Sequence, residues 1–376
     1  MLIYLIELIK ELFSPPGVGL FTYITFRAAG AAITALIISI IFAKPIINKL
    51  KSSQLKEQAK TELSNVGNHS LKAGTPTMGG LIILIAVIIP TLLWADIENT
   101  FVILTVVATL FLGGLGFLDD YLKVVKKYKQ GLIGKYKLIG QIFIGLVIGS
   151  IIYFLPDLFG NNFDKINTLT TIPFSKNINF DFGILYIPVV VFIITATSNA
   201  VNLTDGLDGL AIGTVGVVAL TLALIAYFSG NAFFADYLNI ISINGTGELT
   251  IFCAALVGGA LGFLWYNSYP AQVFMGDTGS LALGGAIGVL SVLLKKEFLL
   301  PILGGIFFAE TLSVIIQVSY FKYTKKKYGE GKRIFLIAPI HHHFEKKKIH
   351  ESKIVVRYYI IAIILAIITL ATFKMR

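Results

Sequence analysis

Five of the ten aspartates lie within a few residues of the end of a long apolar run, and lysine-rich segments occur between the same runs. Acidic and basic side chains that gather at the edge of a membrane suit a site that binds a metal ion together with phosphate groups. The five aspartates are Asp119, Asp120, Asp205, Asp208 and Asp277.

The adjacent pair Asp119-Asp120 follows the apolar run that ends at Leu118. Two carboxylates at the C-terminal end of a helix face the negative end of its dipole. If the helix continues past the pair, Asp119 and Lys123 are four residues apart and can form an ion pair. The pair is equally compatible with a solvated salt bridge and with a metal ligand or a base for a phosphate nucleophile.

A second segment repeats amide and carboxylate side chains at every third residue, at Asn199, Asn202, Asp205 and Asp208. In a helix, each of the four would neighbour the next on one surface. A turn between two spans needs only one or two such residues, so four in register favour a polar site.

A third segment, from Asn267 to Ser280, carries a single carboxylate, Asp277, with no basic neighbour in sequence. A lone aspartate at a membrane edge is costly unless it is solvated or bound to a cation. Phe274 could stack on a planar base, although a phenylalanine taken singly more often packs in the core or faces lipid.

Two further segments are polar. The run His341-His342-His343 cannot direct all three rings one way, so imidazoles beside phosphates fit it better than a zinc site. Before it, Glu310 and Gln317 share one helical face and should point into the protein. Residues 72–80 offer a lysine, hydroxyls and glycines that could hold a diphosphate, without the Walker A spacing.

These segments need a scaffold that is stable in lipid. Of the 376 residues, 56% are hydrophobic and 14% are charged, whereas a soluble domain carries roughly 25% charged residues. This excludes a soluble globular domain and a disordered chain, and the single cysteine excludes a disulfide scaffold. The net charge of +10 could indicate nucleic acid, but the basic residues lie between apolar runs, which indicates a membrane surface or anionic substrates.

We predict one all-α, polytopic membrane domain over residues 1–376, with ten spans of about 20 residues each. A short helix in the membrane interface should precede them, with Glu7, Lys10 and Glu11 on its polar face. The expected spans are about 20–43, 78–94, 100–118, 137–155, 185–200, 210–229, 250–266, 281–294, 299–320 and 354–373.

The distribution of lysine and arginine sets the expected orientation. One set of loops holds 22 basic residues, and the opposite set with both termini holds 7. Because cytoplasmic loops carry the excess of basic residues, both termini should be periplasmic. The aspartate segments then lie on the cytoplasmic face.

Taken together, these segments resemble the phospho-N-acetylmuramoyl-pentapeptide transferases, which belong to the polyprenyl-phosphate N-acetylhexosamine-1-phosphate transferase superfamily. The resemblance covers essentially the whole chain. It rests on motifs in the family's order, which are Gly74 to Gly80, Asp119-Asp120, Asn199 to Gly209, Phe274 to Ser280 and His341 to Glu345.

The resemblance implies a Mg²⁺-dependent transferase of the bacterial inner membrane, with ten spans, periplasmic termini and an active site on the cytoplasmic face. It would transfer phospho-N-acetylmuramoyl-pentapeptide from UDP-MurNAc-pentapeptide to undecaprenyl phosphate and release UMP, in the first membrane step of peptidoglycan synthesis. The partners would be these two substrates and the lipid bilayer, without nucleic acid and with room for a homodimer.

The resemblance also implies roles for individual residues. Asp277 would bind Mg²⁺, and Asp119, Asp120 and His341 would join it as catalytic residues. Asp205 and Phe274 would hold the uracil. The other substrate-binding residues would be Lys72, Thr77, Lys123, Lys135, Asn202, Asp208, Asn267, Gln317 and His342.

Three alternatives stay open on the sequence. A related transferase that moves N-acetylglucosamine-1-phosphate to the same lipid shares the aspartate motifs, and the histidine segment with Phe344 and Glu345 favours the muramoyl branch. A secondary transporter would also use intramembrane acids, but the chain has no visible repeat and its acids cluster at one surface. A structural membrane protein would leave the polar segments unexplained.

The orientation can be tested by labelling. In a Cys253→Ser background, Ser175→Cys should react with an impermeant thiol reagent added from outside, because its loop is expected in the periplasm. Ser64→Cys, in a lysine-rich loop, should not react. The reverse labelling pattern would overturn the orientation.

Overall fold

The computed structural model describes residues 1–2, 4–6, 18–52, 75–128, 130–175 and 179–374. Within these ranges the chain is mostly helical, and eight helices are long and apolar enough to cross a membrane, which confirms the prediction of a polytopic helical membrane protein. Numbered in chain order with the shorter helices, they are α1 (Ile24–Ser52), α3 (Thr100–Val124), α4 (Gly134–Phe154), α5 (Tyr186–Thr204), α6 (Leu210–Ser229), α8 (Leu249–Asn267), α9 (Gly276–Leu293) and α13 (Glu351–Ala371).

Two of the ten expected spans take another form. Helix α2 (Gly80–Trp94) has 15 residues. In place of the ninth span, α10 (Leu300–Leu303) and α11 (Gly305–Tyr328) form a pair bent by 82°. The count of ten, like the periplasmic placement of the termini, therefore stays a prediction. Short helices α7 (Ala232–Tyr237) and α12 (Ile340–Lys346) lie in connections.

Two predicted features fall mainly outside the described residues. They are the interfacial helix, of which only residues 1–2 and 4–6 are described, and Lys72 of the first long loop.

A small hairpin departs from the all-helical expectation. Strands β1 (Leu169–Thr171) and β2 (Asn179–Asp181) pair antiparallel in the connection between α4 and α5. Thr170 donates a hydrogen bond of 2.5 Å to Glu297, which anchors β1 beyond the C-terminal end of α9. The Tyr186 hydroxyl lies 2.8 Å from Lys295 Nζ and 2.5 Å from Glu297 Oε1. Burial lowers the pKa of Lys295 to about 7.

Helix α9 is the centre of the bundle. It is the most buried of the eight spans, at 89%, and packs most extensively on α3 and α5. Glycines allow the close approach that membrane helices favour. A Cβ on Gly116 would lie 2.1 Å from the Asp277 carbonyl oxygen, and one on Gly284 would lie 2.5 Å from the Thr197 carbonyl oxygen. The acids of α3 are thereby brought against the first turn of α9.

Candidate active site

Asp119 is the most enclosed charge of the site. It lies near the C-terminal end of α3, and its side chain is fully buried. Its Oδ1 accepts a hydrogen bond of 2.6 Å from the Leu132 N–H, and its Oδ2 forms ion pairs with Lys123 and, at 2.8 Å, with Lys137. The helix thus continues past the acidic pair, as the spacing of Asp119 and Lys123 requires. Asp119 is enclosed in this pair, whereas the Lys123 side chain remains 39% exposed.

Gly131 permits the loop after α3 to close over Asp119. Its φ of +56° lies in the left-handed region, which glycine adopts without steric cost. A Cβ at this position would lie 2.5 Å from Asp119 Oδ1. The same loop leads into α4, so its closure also sets the position of Lys137.

Asp277 lies in the first turn of α9, where the helix dipole favours a negative charge. Its Oδ2 is 2.5 Å from Lys137 Nζ and 3.2 Å from Lys123 Nζ. Its Oδ1 accepts a hydrogen bond of 2.9 Å from the Asn202 side chain. The carboxylate without a basic neighbour in sequence therefore has two in space.

Lys137 is the principal residue that the sequence analysis missed. It contacts both Asp119 and Asp277, whereas the predicted Lys135 is exposed and its Nζ lies 5.0 Å from the centroid of the Tyr136 ring. The available signal was the position of Lys137 in the first turn of an expected span, where a charge needs a partner.

Asp120 performs a different task from Asp119. Its Oδ1 accepts a hydrogen bond of 3.2 Å from the Asp277 N–H. Its Oδ2 accepts bonds from the Thr278 N–H at 2.9 Å and the Thr278 hydroxyl at 2.6 Å. The two N–H groups belong to the first helical turn, where backbone N–H groups lack partners within α9. Asp120 thus caps α9 from α3 and holds Asp277 in place.

The second polar segment, from Asn199 to Asp208, is only partly helical. Helix α5 ends at Thr204, so the expected helical register holds for Asn199 and Asn202 and not for Asp205 and Asp208. Residues 205–209 form a turn that leads into α6. Gly209, with a φ of +82°, is the last residue of this turn and the N-cap of α6.

The turn is tied to the loop that precedes α9. Asp208 Oδ2 accepts a hydrogen bond of 2.9 Å from the Ala271 N–H. The buried Asn267 accepts one of 3.1 Å from the Gly209 N–H and donates one of 2.9 Å to the Val273 carbonyl. Asp208 and Asn267 therefore join the predicted segments to each other.

Phe274 is half-buried on the same loop, and its backbone pairs with the segment before α2. Its N–H donates to the Pro76 carbonyl at 2.9 Å, and its carbonyl accepts from the Gly79 N–H at 2.8 Å. Thr77 is buried between these two bonds. From residue 75 onward, the predicted diphosphate segment thus lies against residues 268–275, the loop that leads into α9 and Asp277 and is called the Asp277 loop below.

The three histidines face three ways, as expected. His341 Nδ1 lies 3.0 Å from Glu310 Oε2, and His342 Nδ1 lies 2.9 Å from Glu345 Oε2. His343 Nδ1 accepts a hydrogen bond of 3.1 Å from a backbone N–H. Burial and a nearby lysine lower the pKa of His343 below its usual range.

Glu310 and Gln317, which share one helical face, differ in burial. Glu310 is fully buried, as predicted. Gln317 is half-buried, and its Oε1 accepts hydrogen bonds from the N–H groups of Ile334 and Phe335 at 3.1 and 3.0 Å. Its amide therefore holds the loop that leads to α12.

The acidic cluster fits a divalent cation. Oxygen atoms of Asp119, Asp120 and Asp277 lie within 4.8 Å of one another. Carboxylate oxygens are the ligands that Mg²⁺ prefers in proteins, usually together with phosphates. With Lys123 and Lys137 beside it, the cluster also offers two cations to phosphate oxygens.

Comparison with known proteins identifies the family. Residues 102–295 match the model of glycosyl transferase family 4, and residues 72–84 match phospho-N-acetylmuramoyl-pentapeptide-transferase signature 1. Phospho-N-acetylmuramoyl-pentapeptide-transferases of Chloroherpeton thalassium and Chlorobaculum parvum are each 52% identical to this chain, and that of Flavobacterium psychrophilum is 49% identical, all over the full length of both chains. The chain belongs to the phospho-N-acetylmuramoyl-pentapeptide-transferase family. The resemblance inferred from the motifs is thereby confirmed.

Within this member of the transferase family, the first matched region contains the acidic cluster, the turn at 205–209 and the Asp277 loop. The signature region contains Thr77 and runs into α2. The histidine segment lies beyond both matched regions and reaches the site through contacts with α11 and with the turn.

The capping role of Asp120 can be tested on stability. Asp120→Asn should lower the free energy of unfolding by about 1–3 kcal/mol, because one amide group cannot accept all three hydrogen bonds that α9 donates. Thermal unfolding of the detergent-solubilised protein measures this loss. Asp157→Asn, at an acid outside the cluster, is the control. An unchanged midpoint for Asp120→Asn would contradict the capping role.

Proposed function

We propose that this chain transfers phospho-N-acetylmuramoyl-pentapeptide from UDP-MurNAc-pentapeptide to undecaprenyl phosphate, with release of UMP, at the cytoplasmic face of the bacterial inner membrane. The observation that carries the proposal is the cluster of the buried Asp119 with Asp277, Lys123 and Lys137 at helix ends, in a chain about half identical to transferases of that name. The N-acetylglucosamine alternative is not favoured, because the relatives and the matched signature belong to the muramoyl branch.

The reaction joins two anions, so charge neutralisation and alignment matter more than a protein nucleophile. An oxygen of the lipid phosphate attacks the sugar-bound phosphorus of the nucleotide substrate. The bond between that phosphorus and the bridging oxygen breaks, and the oxygen leaves with UMP. Lys123 and Lys137 neutralise the phosphates, and Asp119 fixes both ammonium groups.

We assign Mg²⁺ to Asp277, with Asp119 beside it, because carboxylate oxygens are hard ligands and an oxygen of each residue lies within 4.8 Å of the other. When bound, Mg²⁺ supplies a Lewis acid that neutralises phosphate oxygens. Asp120 acts through Asp277, since its oxygens accept hydrogen bonds from the first turn of α9.

The nucleotide is assigned to the wall made by the turn and the Asp277 loop. Asp205 and Phe274 would hold the uracil, and Asp208 and Asn267 keep their two segments together. The other assigned substrate contacts are Lys72, which lies outside the described residues, and Thr77, Lys123, Lys135, Asn202, Gln317 and His342.

The lipid acceptor needs an apolar path to the cluster. A groove of about 340 Å³ between α4 and α5 is lined mainly by apolar side chains, such as Ile142, Val191 and Phe192. It begins at Leu138, next to Lys137, and includes Asn199, one helical turn from Asn202. We assign the polyprenyl tail to this groove, because the groove lies between two membrane helices and one of its lining residues, Leu138, adjoins Lys137 of the cluster.

The proposed activity and the role of Asp277 can be tested together. The purified protein, incubated in detergent with both substrates and Mg²⁺, should form UMP and the lipid-linked sugar in equal amounts. Asp277→Asn should abolish turnover and keep the fold, because it removes the charge that the metal needs. Uptake of the nucleotide substrate into vesicles without conversion would favour a transporter. Substantial turnover by Asp277→Asn would refute its assignment.

A second experiment separates binding from chemistry. Asp205→Ala and Phe274→Ala should weaken binding of the UDP substrate. Asp119→Asn should leave that binding nearly unchanged and slow turnover by at least about 100-fold. This slowing should persist at every pH tested, because Asp119 already pairs with two lysines and positions them.

Recovery of Asp119→Asn activity as pH rises would instead identify Asp119 as a base. Normal turnover of that variant with a raised Kd for the UDP substrate would contradict the division of roles. Asp157→Asn again serves as the control for loss of an acid outside the cluster.

A further inference from the structure

The turn that carries Asp205 and Asp208 is held by hydrogen bonds to α13, a helix outside the acidic cluster. Glu351 of α13 accepts a hydrogen bond of 2.6 Å from the Asp208 N–H. The Tyr359 hydroxyl, from the same helix, donates one of 2.7 Å to the Gly209 carbonyl. These bonds fix the second half of the turn. The first half has the backbone hydrogen bonds of Asp205 to Asn202 and of Gly206 to Thr204, together with one further support.

That support is the ring of His341. A Cβ on residue 206 would lie 2.1 Å from His341 Nε2 and 2.8 Å from its Cε1. Separations below 3.0 Å are essentially never tolerated by real Cβ atoms. Gly206 does not have a positive φ, so its backbone conformation is open to other residues. Glycine is required at position 206 because the imidazole occupies the space of a side chain.

Glu310 in turn fixes the ring. Both side chains are fully buried, and Glu310 Oε2 lies 3.0 Å from His341 Nδ1 and 3.4 Å from the His341 backbone nitrogen. The Tyr358 hydroxyl of α13 interacts with the same carboxylate. Among the described residues, neither ring nitrogen of His341 has a hydrogen bond of regular geometry, and the approach of Nδ1 to Glu310 Oε2 at 3.0 Å is an ion-pair contact. The contact at Nδ1 is therefore the polar interaction that orients the ring.

We infer that Glu310 is a positioning residue for nucleotide binding: it holds the His341 ring against Gly206 and so fixes the turn that carries Asp205. The inference rests on the proposed function, which assigns Asp205 to the uracil. It assigns His341 to support of the turn and not to contact with the reacting phosphates. Residues of α11 and α12 thereby control affinity for the nucleotide from behind the binding surface.

A double-mutant cycle tests the contact between Gly206 and His341. Gly206→Ala should raise the Kd for UMP by at least about tenfold, since the added methyl displaces the ring and the turn. His341→Ala removes the ring and should weaken binding less. The double variant should bind UMP better than Gly206→Ala alone, because the methyl then enters the vacated space, with a coupling of at least about fivefold.

Calorimetric titration of the full-length protein in detergent with UMP measures these values, and thermal midpoints report stability. Gly114→Ala is the matched control, because a Cβ at Gly114 meets no atom within 4 Å. Independent effects of the two substitutions, which multiply in the Kd for UMP and add in the thermal midpoint, would overturn the inference.

Glu310→Gln tests the orienting contact without a change of size. It should raise the Kd for UMP and the KM for the UDP substrate by about three- to tenfold, with kcat changed by less than about twofold. Glu248→Gln, at a partly buried glutamate paired with the buried Arg27, is the matched control and should leave UMP affinity unchanged. A lower kcat with unchanged UMP affinity and KM would place Glu310 and His341 in the chemical step and overturn the inference.

Failure of the proposed function can be recognised separately. UMP binding by the parent protein is measured first, and its absence refutes the nucleotide assignment. The support of the turn is then decided by the thermal midpoints, which do not depend on substrate. Coupling between Gly206→Ala and His341→Ala in the midpoints supports it, and independent effects overturn it.

Discussion

The structure depends on the neutralisation of acids that are buried where membrane helices end. Removing a carboxylate from water costs several kcal/mol or more, so a buried carboxylate needs partners of opposite charge or several hydrogen-bond donors. Asp119 and Asp277 share the ammonium groups of Lys123 and Lys137, and Asp120 receives the free N–H groups of α9. Because these partners come from α3, α4 and α9, the charges can be satisfied only when the three helices are in their observed positions.

The same arrangement explains how two adjacent aspartates acquire different tasks. Successive residues of a helix point about 100° apart, so Asp119 and Asp120 cannot face the same neighbour. Asp119 faces the lysines and the loop closed by Gly131, whereas Asp120 faces the first turn of α9. One carboxylate therefore orders the ammonium groups of Lys123 and Lys137, and the other fixes the helix that carries Asp277. Positions set in advance are what electrostatic catalysis of phosphoryl transfer requires.

The sequence was sufficient for features that depend on local pattern. Apolar runs predicted the membrane helices, the spacing of Asp119 and Lys123 predicted their ion pair, and the cost of a charge in lipid predicted the burial of Glu310. Features that depend on tertiary packing were beyond it. Lys137, and not Lys135, contacts the acids because the loop at Gly131 sets how α4 is oriented about its own axis.

The same limit applies to the turn after α5 and to the hairpin of β1 and β2. The turn after α5, which ends at Thr204, is held by two hydrogen bonds that each span about sixty residues. Asp208 accepts one from the Ala271 N–H, and Asn267 accepts the other from the Gly209 N–H. The hairpin is fixed by Thr170 and Glu297, which are 127 residues apart. Neither partner is visible in a local window of sequence, since the contact exists only once the helices have packed.

Helix α9 is constrained by polar groups at both ends. Asp120 caps its first turn, and beyond its last turn the Tyr186 hydroxyl bridges Lys295 and Glu297. Between these ends the helix is buried on nearly all sides, at distances that glycines of α3 and of α9 itself permit. A helix held in this way has little freedom to slide along its axis or to rotate, because either motion would leave buried charges without partners. Asp277 therefore stays at a fixed height beside Lys123 and Lys137, while substrates approach a site whose charges are already in place.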